Sequence, residues 1–355
     1  MKILYLDPAL PQSPSGNRST STRLVGHWQS LGHEVDVVSV RAGQAPEADS
    51  LQKRLSDSDL LVALHAGYCQ PVLELWRQLG RPVPMVFLVS GTDLFQPILE
   101  SGTVSKDFAA TCQDARRIIT FASGLEDQFP ADQKNEWAKK TRTILQGAEP
   151  VLPQSGEVAQ HQAVVVSHLR RIKDPLLPLE ALEVVEERLP TTGVSGPVKG
   201  MTIHHFGKLL DPGYREAVEN SGTRLSRGLC QWHWLGNVTQ DEIRQRMTES
   251  PLLILPSIHE GGANVIGEFL VSGLPVIASR VPGNTGILGN DWPGLFESGD
   301  AGDLATLLLR WLGEEEFRQE LVMASRQRAP QHDLGQEKAQ WAQLLKELEC
   351  DSGGN

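Results

Sequence analysis

Lysine and arginine number 33 in this chain of 355 residues, against 44 aspartates and glutamates, so the net charge is −11. That balance argues against a nucleic-acid binder, which would show a basic stripe, although it leaves room for a local basic pocket around an anionic ligand. The length suffices for two domains with separate cores, and 40% hydrophobic with 22% charged residues is ordinary for a soluble globular protein.

No window approaches the roughly 18 apolar residues of a membrane span. In MKILYLDPAL, Asp7 and Pro8 cut the apolar run too early for a signal peptide. Cys69, Cys112, Cys230 and Cys350 form no CxxC pair, so neither a zinc site nor a disulfide framework is expected. The expectation is a cytoplasmic protein.

In chain order, residues 2–7 read as a strand and 8–16 as a loop crowded with Pro, Ser and Gly. A helix from about Asn17 carries Leu24, Val25, Trp28 and Leu31 at helical spacing and stops at Gly32. A second strand follows over 35–40. This opening is Rossmann-like but lacks the GxGxxG of a dinucleotide site. Asn17 and Arg18, at the helix start, suit an anion; the alternative is a helix cap and a surface charge. A third strand over 60–64 ends at His65; a His there points into the cleft of an α/β sheet, and the alternative is a satisfied structural histidine. Asp57-Ser58-Asp59 mimics a DxD metal motif but precedes its strand, at the wrong edge, so no metal is expected. The fourth strand, 83–89, ends in Ser90-Gly91-Thr92-Asp93-Leu94. Helices over 104–114 and 124–138, the latter interrupted by Pro130, and strands over 117–121 and 143–145 complete a parallel three-layer lobe.

Residues 147–162, rich in Pro, Gly and Gln, read as an inter-domain linker. A second β/α series opens with a strand over 163–166, then Ser167-His168-Leu169-Arg170-Arg171-Ile172-Lys173-Asp174-Pro175 and a helix to about Arg188. Three cations at a strand end, Arg170, Arg171 and Lys173, suit a diphosphate; a solvated basic turn is the alternative. A loop over 191–200, strands over 201–206 and 232–235, and a capping box at 239–242 follow.

The strand over 252–255 leads into a loop around Gly261 and Gly262, a helix opening near Asn264, and a strand over 275–278. Adjacent glycines let the backbone approach a ligand, and the helix start at Ala263 and Asn264 aims unpaired N–H groups at the same space, which favours a phosphate. Glu260 and Glu268 bracket the loop, and Glu268 leans back over it because helical side chains tilt toward the amino end. A carboxylate repels a diphosphate, so these two are expected to meet neutral hydroxyls, such as a ribose diol and a sugar. One diphosphate between two hydroxyl-rich rings is a nucleotide-sugar. The alternatives are a helix-dipole partner for Glu268 and a solvated loop charge for Glu260. A strand over 293–296, helices over 301–312, 315–327 and 336–348, and a disordered tail over 351–355 end the chain.

Glu260 and Glu268, seven residues between them and SGLPVIAS after them, resemble the E-x7-E signature of retaining glycosyltransferases of family 4. The resemblance implies an α/β GT-B fold, two Rossmann-like β/α/β domains facing a central cleft. It implies an acceptor domain over 1–150, a nucleotide-sugar donor domain over 151–330 and a helix over 331–350 that crosses back to the first domain. In that family an Arg usually stands five residues before Lys173, where this chain has His168, and its role passes to Arg170 or Arg171. Many members carry a His after the fourth strand, where Thr92 stands here, followed by Asp93. The family places the nucleotide base near 234–236.

The phrases PSGNRSTSTR (14–23), DLLVALHAGY (59–68), SGTDL (90–94), SHLRRIKDP (167–175), HEGGANVIGE (259–268) and VPGNTGILG (281–289) are similar to the selenosugar synthases of selenoneine biosynthesis. That resemblance implies a UDP-sugar, UDP-N-acetylglucosamine or UDP-glucose, joined to selenophosphate with loss of UDP and phosphate. It implies no cofactor beyond the UDP-sugar co-substrate, and a functional link to a selenophosphate-producing enzyme and a downstream selenoneine synthase. Selenophosphate is already ionised, so the general base that an alcohol needs is dispensable. What it needs is an anion site in the first lobe, for which Gly16, Asn17, Arg18 and His65 are candidates, with Thr92 and Asp93 beside them. Lys173 with Arg170 or Arg171 would stabilise the departing UDP. Two other readings stay open: a family 4 enzyme with a hydroxyl acceptor, and a sugar-nucleotide-binding protein without catalysis.

Overall fold

Short apolar runs such as Leu-Leu-Val-Ala-Leu, buried at every position, suit strands covered on both faces, which is the pattern of parallel sheets. A computed structural model describes residues 1–9, 16–40, 47–151, 161–189, 200–225 and 228–352. Parts of the first loop (10–15), the linker (152–160), the loop over 191–199 and the end of the tail (353–355) lie outside the described residues.

The first sheet contains β1 (Lys2–Asp7), β2 (Glu34–Ser39), β3 (Leu60–Leu64), β4 (Met85–Leu88), β5 (Arg117–Thr120) and β6 (Thr141–Thr143), in the order β2-β1-β3-β4-β5-β6. The second contains β7 (Gln162–Val166), β8 (Thr202–Phe206), β9 (Gln231–Gly236), β10 (Leu252–Leu255), β11 (Val276–Ser279) and β12 (Leu295–Phe296), in the order β12-β11-β10-β7-β8-β9. Among the described residues every strand pairing is parallel. Both are Rossmann-like, and each has one switch point where strand order reverses: β1/β3 in the first sheet and β7/β10 in the second.

Two compact units result. One comprises Met1–Gly147, Glu260–Asn264 and Leu334–Asn355; the other comprises Ala148–His259 and Val265–Asp333. In the first, Trp28 packs edge-on against Tyr5 (5.4 Å between ring centres) and Trp341 (5.2 Å). Leu344, Leu345 and Leu348 join the same core, so the last helix, Leu334–Ser352, closes a face of the first sheet.

Several elements differ from expectation. The turn over 90–94 opens a helix, Gly91–Ser101. The segment 124–138 divides at Pro130 into a 3₁₀ turn, Leu125–Gln128, and a helix, Lys134–Lys140, because proline removes a helix donor. The last strand of the first sheet lies at Thr141–Thr143 rather than 143–145; Thr143 Oγ1 meets Thr120 Oγ1 at 3.1 Å. After β7 the chain makes a 3₁₀ turn, Arg171–Lys173, and passes through Asp174 in the left-handed region (φ 45°) before the helix Leu177–Arg188. The final helix extends to Ser352, two residues into the expected disordered tail, 351–355. Among the described residues no helix is long and apolar enough to cross a membrane.

Candidate functional site

Ligands of open α/β sheets bind beyond the carboxyl ends of the strands at the switch point. In the second unit that point lies between the loops leaving β7 and β10. Ile258 N donates to Ile172 O (3.0 Å), so the two loops are tied to each other. At the end of β8, Gly207 (φ +148°) runs so close to Ser167 O that a Cβ would collide with it. Trp234 Nε1 donates to Gly207 O (2.8 Å), which fixes the indole at this edge.

His168 sits at the centre of this edge. Its Nδ1 accepts from Lys208 N (3.1 Å), so the neutral ring carries its proton on Nε2. Burial, followed by the charges of Arg170, Lys173 and Lys208, pushes its pKa down to about 4. At neutral pH the site therefore offers one uncharged N–H donor among three cations. Arg171 is exposed, and its charge acts on Tyr214 instead. The structure thus brings Arg170 rather than Arg171 to His168. Lys208 escaped the sequence reading, although a cation just past a strand end is the kind of signal that marked the loop after β7. Glu268 is half-buried in the second turn of the helix Asn264–Val271.

In the first unit the switch point lies between the ends of β1 and β3. The helix Gly16–Ser30 starts after β1, with Asn17 half-buried and Arg18 exposed in its first turn. His65 follows β3 in the left-handed region (φ 71°) and caps the helix Ala66–Gln78: its Nδ1 accepts from Tyr68 N at 3.4 Å. A non-glycine residue held there signals a constrained, candidate functional position. The constraint comes from Asp93, whose Oδ1 lies 3.2 Å from His65 Nδ1. Asp93 is 4% exposed and accepts from Ala66 N (2.6 Å) and Gly67 N (3.4 Å). Burial raises its pKa to about 7. Asp93 therefore supports the His65 turn from behind, while Thr92 is half-buried with its Oγ1 3.2 Å from Ser90 Oγ.

The loop Glu260–Asn264 groups with this unit. A Cβ on Gly91 would lie 2.7 Å from Gly261 N, so two backbones touch where both residues are glycine. Glu260 is only 7% exposed, which removes its reading as a solvated loop charge. Gly262 and Ala263 are half-buried, and Asn264 Nδ2 donates to Gly16 O (3.2 Å). Arg23 and Gln146 also hold this loop, and the sequence reading assigned neither.

Residues 224–328 match the family model described as Glycosyl transferases group 1. Over 341 residues the chain is 21% identical to glycosyltransferase 1 domain-containing protein 1 of Xenopus tropicalis, covering 91% of this chain and 90% of that one. A crystal structure of the Anabaena protein HepE in complex with UDP and glucose superposes with a TM-score of 0.73 at 18% identity, covering 98% of this chain and 100% of that one. Sucrose-phosphate synthase of Thermosynechococcus elongatus gives 0.74 at 16% identity, covering 99% of each.

The fold is GT-B. The segment that matches the family model contains β9 to β12 together with Glu260 and Glu268.

Proposed function

We propose that this chain is a glycosyltransferase that moves a sugar from a UDP-sugar, UDP-N-acetylglucosamine or UDP-glucose, to selenophosphate. Selenium attacks the sugar C1 as the C1–O bond to the diphosphate breaks; water then takes the phosphoryl group, leaving a 1-selenosugar, UDP and phosphate. The observation that carries this reading is an anion-suited cluster at the switch point of the second sheet: His168, Arg170, Lys173 and Lys208. HepE was solved with UDP, and the same ligand suits this cluster. Lys173 and Arg170 stabilise the departing diphosphate, with Arg171 at the rim, while His168 donates Nε2–H. Gly261, Gly262, Ala263 and Asn264 receive the donor's phosphates, Glu260 a sugar hydroxyl and Glu268 the ribose diol. Gly16, Asn17, Arg18 and His65 receive the acceptor, with Thr92 and Asp93 behind them. No metal is required in this scheme.

A second reading, a hydroxyl acceptor, draws on the His65–Asp93 pair (3.2 Å): in the tautomer that turns Nδ1–H to Asp93 in place of the long contact with Tyr68 N, Nε2 can take a proton. One mass-spectrometric assay separates the two. The protein in excess EDTA is given a panel of UDP-sugars with selenophosphate, thiophosphate or a set of alcohols. A selenosugar formed together with UDP is expected, and Arg18→Ala should raise the KM for selenophosphate. UDP release with an alcohol but not with selenophosphate would leave only the second reading.

A further inference from the structure

One polar network holds the loop Glu260–Asn264 at two places. Gln146, just beyond β6 and 6% exposed, donates from Nε2 to Gly262 O (3.0 Å). Its Oε1 accepts from Thr20 Oγ1 (2.7 Å) and from Arg23 Nη2 (2.6 Å). The same guanidinium donates from Nη1 to Asn264 Oδ1 (3.1 Å) and from Nε to Glu337 Oε2 (2.7 Å). Glu337 is fully buried, and its Oε2 also accepts from Gly147 N (3.0 Å) and lies 3.1 Å from His27 Nε2.

An arginine can only donate. Facing Arg23, both amides must therefore turn their oxygens inward, which sends the Gln146 NH₂ to Gly262 O and the Asn264 NH₂ to Gly16 O. Glu337 holds the guanidinium plane in place. One half-buried cation thus sets the orientation of two side-chain amides, and these in turn fix backbone carbonyls at Gly262 and Gly16.

We infer that Gln146, oriented by Arg23, is a positioning residue that sets the Glu260–Gly262 loop for the sugar transfer. The link to catalysis rests on the function proposed above; the tether itself does not. Loop placement matters because an error of about 1 Å at a reacting centre costs on the order of a hundredfold in rate.

Gln146→Glu isolates the tether. A carboxylate oxygen still accepts from Arg23 and Thr20, but the group facing Gly262 O becomes a second acceptor. Hydrogen exchange in peptides covering 259–266 should quicken about tenfold or more while β1 and β3 peptides keep their wild-type rates. In turnover, kcat should fall about ten- to a hundredfold with KM for the UDP-sugar within about threefold of wild type. Should the charged variant fail to fold, Gln146→Met, uncharged and of similar length, also removes the bond to Gly262 O, together with those from Thr20 and Arg23, and is read by the same exchange comparison. Unchanged exchange at 259–266, or loosening spread evenly through the first unit with kcat preserved, overturns the inference. If the wild type turns over no UDP-sugar the proposed function fails, and the exchange comparison alone still decides whether Gln146 sets the loop.

Discussion

Asp93→Asn probes the buried carboxylate behind His65. Asp93 has an ordinary pKa of 3.8, raised to about 7 in the fold chiefly by burial, with its hydrogen bonds from Ala66 N and Gly67 N acting in the opposite direction. Between those pH values the folded state holds a proton that the unfolded chain has released. Stability therefore falls as pH rises from about 4 to 7 and is level outside that window. A difference of about 3 units at roughly 1.4 kcal/mol each sets a ceiling near 4 kcal/mol. Asparagine does not titrate, and its oxygen can keep the 2.6 Å bond from Ala66 N. The variant should thus gain stability relative to wild type by about 2–4 kcal/mol between pH 4.5 and pH 8. Hydrogen exchange of β3 and β4 amides, compared between the two proteins at equal pH, cancels the intrinsic pH dependence of exchange. A variant-minus-wild-type difference equal at both pH values within about 0.5 kcal/mol would refute the reasoning.

Three further outcomes are expected. Gly261→Ala forces a Cβ into the Gly91 backbone and should lower stability by about 1–3 kcal/mol; a thermal midpoint equal to wild type counts against that contact. Lys208→Ala should weaken UDP binding about tenfold through a lost charged hydrogen bond, whereas the exposed Arg171→Ala should stay within about twofold of wild type; calorimetry that reverses this order removes Lys208 from the cluster. Glu268→Ala should weaken UDP binding about ten- to a hundredfold, and unchanged affinity in a folded variant returns Glu268 to a helix-dipole partner.

Strands buried throughout were legible in the sequence, and so were the partly exposed Glu34–Ser39 and Gln231–Gly236, which carry Val or Trp between polar residues. Leu60–Leu64 and Leu252–Leu255 are apolar throughout, and each ends in a chemically marked loop. β6 was shifted because Thr141-Arg142-Thr143 is a half-buried edge strand with no apolar run. Loop chemistry was legible where cations clustered past a strand end, as in 167–175, or where glycines stood beside a charge, as in 259–268. It was not legible where a charge acts across the chain. Arg23 and Glu337 are 314 residues apart, and no periodicity links them. Asp93 looked like a site carboxylate at a strand end, but its orientation toward the Ala66 and Gly67 amides depends on how β3 and β4 align, which spacing alone does not encode.

The Trp28–Trp341 contact has a consequence for synthesis. The first 147 residues leave the ribosome early, yet their core stays open until the helix Leu334–Ser352 arrives. At about 5–20 residues per second the remaining chain takes tens of seconds. Apart from a five-residue excursion at Glu260–Asn264, the second unit is one continuous stretch and is fully synthesised before that helix. The unit begun first is thus finished last, and for that interval its unfilled tryptophan pocket is a surface for chaperones rather than a packed core.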